Sequence, residues 1–336
     1  MTRRTMQHHP TIGYQFVPSM KARLPRPNGG GYLIRTNSAG FRCDHEFEAV
    51  RPTGTRRVIL SGDSFTAGDG VSNGKRFGDV IERELSSRLG PTQVYNLGLP
   101  GTGTDQQYLA WSETAKQLEA DALVIAVLVE NIRRVAAHYR YYADAEGVRR
   151  CYPKPYFVLE NDHLTLHGVP VPPQPVEETA LSDEERALVD RGVGGDHGRL
   201  KALAIRLGMK EVAQRVLRFD PVPEYREPDG RAWQTMHAIL KSWIAEIRVP
   251  VLLVSIPLYQ HVEGISSPRH YQARFNELVA ETGVNYVDLY PELTDMPVAE
   301  RKMLRFPSDN HLTERGHEVV GGVLARRLQT VLGGSE

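Results

Sequence analysis

Residues 57–68 read Arg57-Val58-Ile59-Leu60-Ser61-Gly62-Asp63-Ser64-Phe65-Thr66-Ala67-Gly68. The first half is a short apolar run without polar alternation, as expected of a strand covered on both faces. The second half turns at Gly62 and sets Asp63 and Ser64 directly after the run. Four later runs have the same character: QVYNLGL at 93–99, LVIAVLV at 123–129, VLLVSIP at 251–257 and NYVDLY at 285–290. Between the first two, Phe77, Val80, Ile81, Leu85 and Leu89 recur at helical spacing. Helix-compatible segments fill 105–118 and 270–282, and Val319, Val320, Val323, Leu324, Leu328 and Val331 form one stripe near the end. Strand alternating with helix predicts right-handed βαβ crossovers, hence a parallel sheet with helices on both sides.

Two segments interrupt this rhythm. KPYFVLENDHLTLHGVPVP at 154–172 has two β-like runs around a polar turn and predicts a hairpin. Residues 174–247 are mostly helical, opening on a Ser182–Glu185 capping box and closing on Trp233, Met236, Leu240, Trp243, Ile244 and Ile247 at i, i+3, i+4 spacing. They are expected to form a helical insertion between the third and fourth strands, a cap over the strand ends. Residues 1–54, rich in Pro, Gly and Arg, are expected to lie as an arm on an α/β domain of residues 55–336.

The 336 residues are 40% hydrophobic and 24% charged, enough to bury a sizeable core. Lys plus Arg and Asp plus Glu number 41 each, so the zero formal net charge gives no reason to expect nucleic acid or an anionic membrane as partner. No apolar run follows the basic residues of MTRRTMQHHPTIGYQF, and no stretch reaches the ~18 apolar residues of a membrane span. The expected location is the cytoplasm. Cys43 and Cys151 lack metal-site or redox-motif spacing and are expected to be reduced thiols. His8, His9, His261 and His270 lack paired metal-ligand spacing and are expected at the surface. The sequence is silent on oligomeric state.

Ligands of an open α/β sheet bind beyond the carboxyl ends of its strands. After the first strand, Ser64 can present its hydroxyl and its backbone N–H to one point in space. After the second comes the glycine-rich loop Asn96 to Thr104, where backbone amides can approach a ligand and Gly98 and Gly103 are expected to serve as turn glycines. After the third, Asn131 offers a neutral amide donor. Near the C-terminus, Asp309-Asn310-His311 precedes the last helix, which Thr313 is expected to cap and at whose start His317 is expected to pack. Asp63 is expected to hydrogen-bond loop amides. The Arg133-Arg134 pair, and Arg140 among Tyr139, Tyr141 and Tyr142, read as a solvated helix face or as lining for an acidic or sugar-like group.

The order of these blocks resembles the SGNH (GDSL-type) hydrolase superfamily. GDSFTAG at 62–68 is similar to its first block, Gly101 to the second-block glycine, Asn131 to the third-block asparagine and SDNHLTERGH at 308–317 to the last block. RTNSAGFR at 35–42 resembles a segment preceding the first block in one bacterial branch, and the resemblance runs from about residue 32 to 331. It implies a three-layer, flavodoxin-like α/β fold with a five-stranded parallel sheet ordered 2-1-3-4-5. It also implies Ser64 as nucleophile, His311 as base and an oxyanion hole made by the N–H groups of Ser64 and Gly101 with the Asn131 side chain. The family commonly spaces its acid and base as Asp-x-x-His. Here Ser308 stands three before His311 and Asp309 two before, so Asp309 takes the acid's place; Val129 and Ile132 stand where the third block usually has glycine and aspartate. The implied activity is a serine-dependent esterase or O-deacylase acting on a small-molecule or carbohydrate acyl ester, with no metal or organic cofactor. Two rivals are an O-acyltransferase using the same residues and a non-catalytic binding module on the same fold.

Overall fold

The structure, a computed structural model, describes residues 5–26, 29–143, 148–192, 219–307 and 309–333. Ser308 and residues 193–218 of the expected insertion lie outside the described residues. The five apolar runs form β1 (Arg56–Gly62), β2 (Thr92–Asn96), β3 (Ala122–Leu128), β4 (Val251–Ile256) and β5 (Asn285–Asp288). They make one parallel sheet ordered β2-β1-β3-β4-β5, the order expected. Leu60 lies opposite Asn96 on one side and Val124 on the other, and Val254 opposite Ala126 and Val287. Every residue of β3 and β4 is buried, which is why neither alternates polar with apolar.

Helices cover both faces. α1 (Phe77–Leu89) packs with α7 (Glu314–Gly333), while α2 (Thr104–Thr114) and α6 (Arg269–Thr282) pack against α5 (Arg231–Glu246). Trp233, Met236, Ile239, Leu240 and Trp243 of α5 are all within the central core. This stretch of the expected cap is therefore the crossover helix between β3 and β4, its apolar stripe turned to the other helices and the sheet. Within the same segment, α4 (Asp183–Gly192) begins at the expected capping box: Ser182 N–H donates to Glu185 (2.9 Å) and Glu185 N–H to Ser182 Oγ (3.2 Å). α4 packs on α3 (Asn131–Ala136), which follows β3. The hairpin also forms, Tyr156–Glu160 pairing antiparallel with His163–His167 across Asn161 and Asp162 at φ of +48° and +63°, a conformation these two residue types tolerate.

The N-terminal residues fold as two hairpins, Met6–His9 with Gly13–Phe16 and Lys21–Pro25 with Gly31–Arg35. They are not peripheral, since Ile12, Phe16 and Phe41 join the central core. Fully buried Arg57 ties the approach to β1 in place by donating to the carbonyls of Glu48 (2.8 Å), Glu119 (3.1 Å) and Val50 (3.2 Å). His261, expected at the surface, is buried, 1% exposed, against Tyr271, and desolvation pushes its imidazole down to about 4. Cys43 and Cys151 are free and buried. Among the described residues no helix is long and apolar enough to cross a membrane.

Candidate active site

β1 lies between β2 and β3, so the chain leaves β1 and β3 toward opposite neighbours and opens a crevice beyond their ends. Ser64 stands there as the first residue of a four-residue helical turn, Ser64–Ala67, a position whose N–H has no intrahelical acceptor. Asp63 caps the turn by accepting from Phe65 N–H (3.0 Å), as expected of it. The far end of the turn is held by Arg42, which donates to the carbonyls of Ala67 (2.9 Å) and Gly68 (2.5 Å) and to Asn73 Oδ1 (2.9 Å). Burial lowers Arg42 to about 10, so it remains a cation at neutral pH.

Across the crevice, Thr313 caps α7 by accepting from Gly316 N–H (3.2 Å), fixing where the preceding loop ends. That loop carries His311, whose Nε2 is 2.8 Å from Ser64 Oγ and whose Nδ1 is 2.6 Å from Asp309 Oδ1. The same carboxylate oxygen accepts from the His311 backbone N–H (3.1 Å), a contact available to a residue two before the histidine. A carboxylate only accepts, so Nδ1 carries the proton and the Nε2 lone pair faces the serine hydroxyl. Burial opposes charge on His311, but the Asp309 hydrogen bond and the charges of Asp69, Asp309 and Asp63 raise its pKa above the usual histidine value. Asp309 is held below the usual carboxylate value: burial pushes it up, and the hydrogen bond and charge of His311 outweigh that.

Arg134 organises the other wall. Its Nη1 donates to Asp63 Oδ2 (2.7 Å), Asn131 Oδ1 (2.8 Å) and the Thr102 carbonyl (3.2 Å), so one nitrogen joins the segments that follow β1, β2 and β3. Arginine has no acceptor, so the carbonyl oxygen of Asn131 must face it and the amide nitrogen must point away. Asn131 Nδ2 is buried and, among the described residues, without a hydrogen-bond partner. Gly101 lies in the same loop as Thr102 at φ +74°, a region that favours glycine. Gly98 is used for close approach instead of turning: a Cβ there would meet the Ala67 nitrogen at 2.3 Å.

Sequence reading named Arg134 only as part of a basic pair, although its i, i+3 spacing from Asn131 on one helix already placed the two side chains together. Arg42 and Asp69 were missed as supports of Ser64 and His311, and nothing in the local pattern marks them. His317 is packed inside as expected, accepting from Phe77 N–H (3.1 Å) and, through burial, pushed down to about 3.

A parallel α/β sheet with a serine, a histidine and a carboxylate in hydrogen-bonded series beyond its strand ends is an arrangement suited to acyl chemistry at an ester. Residues 60–319 match the profile of the GDSL-like Lipase/Acylhydrolase family, and the chain belongs to it. No curated protein sequence matches the chain. Among solved structures it is similar to a lipase/acylhydrolase from Enterococcus faecalis at 15% identity and a TM-score of 0.45, over 82% of this chain and 95% of that one. An acetyl-xylooligosaccharide esterase from Geobacillus Stearmophilus, solved as a mutant, gives 14%, 0.43, 83% and 95% for the same quantities. A carbohydrate acetylesterase family member from Sinorhizobium meliloti gives 13%, 0.37, 83% and 100%.

Proposed function

We propose that the protein is a serine esterase or O-deacylase that removes an acyl group from a small-molecule or carbohydrate ester. The observation that carries this reading is the unbroken series Ser64 Oγ, His311 and Asp309, with contacts of 2.8 and 2.6 Å. Ser64 Oγ attacks the ester carbonyl carbon while His311 Nε2 takes its proton. The oxyanion so formed accepts from the N–H groups of Ser64 and Gly101 and from Asn131 Nδ2, whose vacant donor is a reason to assign it this role. Collapse expels the alcohol, protonated by His311, and leaves an acyl-enzyme. Water, deprotonated by the same imidazole, then attacks the acyl carbon and releases the acid. Asp309 holds the ring and stabilises the imidazolium.

An O-acyltransferase must keep water from the acyl-enzyme, and a cover over the strand ends that includes Trp233, Trp243 and Ile244 is one way to do so. Trp233 and Trp243 are buried in the core and Ile244 packs against it, so these three side chains lend that cover no support. The test is turnover of short-chain p-nitrophenyl esters by the protein, Ser64→Ala and His311→Ala, with circular dichroism to check folding. Both variants are expected to lose turnover while folded. Substantial activity in folded Ser64→Ala overturns the proposal.

A further inference from the structure

The strand Tyr139–Ala143, paired with Arg149–Pro153, brings Arg140 against the Gly101 loop. A Cβ built on Gly101 would fall 1.9 Å from Arg140 Nη2 and 2.4 Å from its Cζ, so the guanidinium occupies the space a side chain at 101 would need. The surroundings of this cation are unusual. Arg134, a few residues earlier, has Asp63; Arg133 has Glu224 at 2.8 Å; Lys154 has Asp105. Among the described residues no carboxylate lies within ion-pair distance of Arg140, and its buried Nε has no hydrogen-bond partner. What touches it is phenolic, and the charges of Asp63 and Glu130 act on it from beyond contact distance. Tyr142 lies with its ring 5.7 Å from the guanidinium carbon, Tyr14 packs on Tyr142 at 4.1 Å between ring centroids, and the Tyr14 hydroxyl donates to the Pro100 carbonyl. The Tyr142 hydroxyl is buried beside the Tyr14 hydroxyl and the Gln106 side chain.

A partly buried cation with no carboxylate in contact gains most from an anion that arrives with a ligand. We infer that Arg140 is a specificity residue that receives an anionic group, a carboxylate, carried by the ester substrate, with the Tyr14–Tyr142 pair as the wall beside it. Because Arg140 touches the residue assigned to the oxyanion hole, that carboxylate sits on a group close to the scissile bond, on its acyl or its alcohol side. The inference rests on the proposed function only for the position of the ester.

The experiment uses two pairs of esters that differ in charge. Mono-p-nitrophenyl succinate against p-nitrophenyl butyrate places the carboxylate on the acyl side. 4-Acetoxybenzoate against its methyl ester places it on the alcohol side. The protein is expected to prefer the charged member of at least one pair, and Arg140→Gln to lower that charged-to-neutral ratio of kcat/KM by about 10- to 100-fold, the range of one charge-assisted hydrogen bond. Arg140→Lys should restore part of the ratio, and Gly101→Ala, which displaces the guanidinium, should lower it as Arg140→Gln does. Calorimetry on Ser64→Ala with succinate and with 4-hydroxybenzoate gives a second readout, with binding expected to be lost in Ser64→Ala/Arg140→Gln. A wild type that prefers neither charged ester, or a ratio unmoved in folded Arg140→Gln, overturns the inference. Turnover surviving in Ser64→Ala would instead remove the nucleophile assignment and leave these ratios to report on Arg140.

Discussion

Replacing Arg134 by methionine removes the one group that joins Asp63, Asn131 and Thr102 while keeping an unbranched side chain of similar length. Asp63 is fully buried, so the change leaves its carboxylate with the Phe65 N–H but without its cation, and breaking a buried pair in this way costs about 3–5 kcal/mol. A domain stable by about 10 kcal/mol, the middle of the usual range, keeps its fold after that loss. The catalytic consequence follows from the shared nitrogen. Asn131 Oδ1 no longer has a donor to face, and the bare Asp63 carboxylate becomes the nearest strong acceptor for Asn131 Nδ2. A hydrogen bond to a charged group is worth about 1.5–3 kcal/mol, so the amide turns over and must be turned back in the transition state. That predicts a fall in kcat/KM of about 10- to 100-fold, bounded by the ~10²–10³ that removing an oxyanion donor outright costs. The assay is ester turnover of Arg134→Met, Asn131→Ala and the double variant, with urea denaturation to read stability. Because Arg134 acts through Asn131, the double variant should be no slower than Asn131→Ala. Adding Asp63→Asn to Arg134→Met should recover part of the stability and the activity. Fully multiplicative losses in the double variant would mean that Arg134 does not act through Asn131.

Other expectations follow from the same geometry. Asp309→Asn should lower kcat by a smaller factor than His311→Ala, and Ser64→Ala/His311→Ala should be little worse than either single change, as measured by steady-state kinetics. His311 must be neutral to act as a base and its pKa is raised, so kcat/KM should climb with pH through an apparent value above the usual 6.5 and then level off. Asp69→Asn, which removes one of the charges that raise it, should move this limb to lower pH, and an unmoved limb would exclude Asp69 from the role. His261 and His317 are depressed to about 4 and about 3, so the unfolded chain binds their protons first as pH falls below about 6.5. Their contribution is intact above that value and lost toward the folded-state values, by roughly 1.4 kcal/mol per pH unit for each histidine. Urea midpoints between pH 7 and 5 should fall accordingly, and less steeply in His261→Leu.

Much of the fold was legible because β-branched apolar runs such as Leu123–Val129 leave little alternative to a strand buried on both faces, and the polar residues directly after them mark the strand ends. The serine and histidine were legible for the same reason, being placed where strands stop and a helix starts. The role of α5 was not. Periodicity in Trp233, Leu240 and Trp243 says that one helical face is covered, and it does not say whether by the sheet layer or across a cleft. Contacts distant in sequence were equally hidden. Arg42 reaches the turn after Ser64, Tyr14 reaches Pro100, and His261 lies under Tyr271, each through tertiary packing that no local spacing encodes. Thr313 and the Ser182–Glu185 box were readable because capping is local chemistry.

In the proposed mechanism everything turns on acylation of Ser64. Its most direct test is intact-mass measurement and peptide mapping after reaction with a fluorophosphonate, alongside rapid-quench trapping with a slowly turned-over ester. A single adduct is expected on the peptide containing Ser64, absent in Ser64→Ala and formed far more slowly in His311→Ala. Labelling of a different residue, or ester turnover by protein that carries no adduct at Ser64 and takes none up, would contradict it.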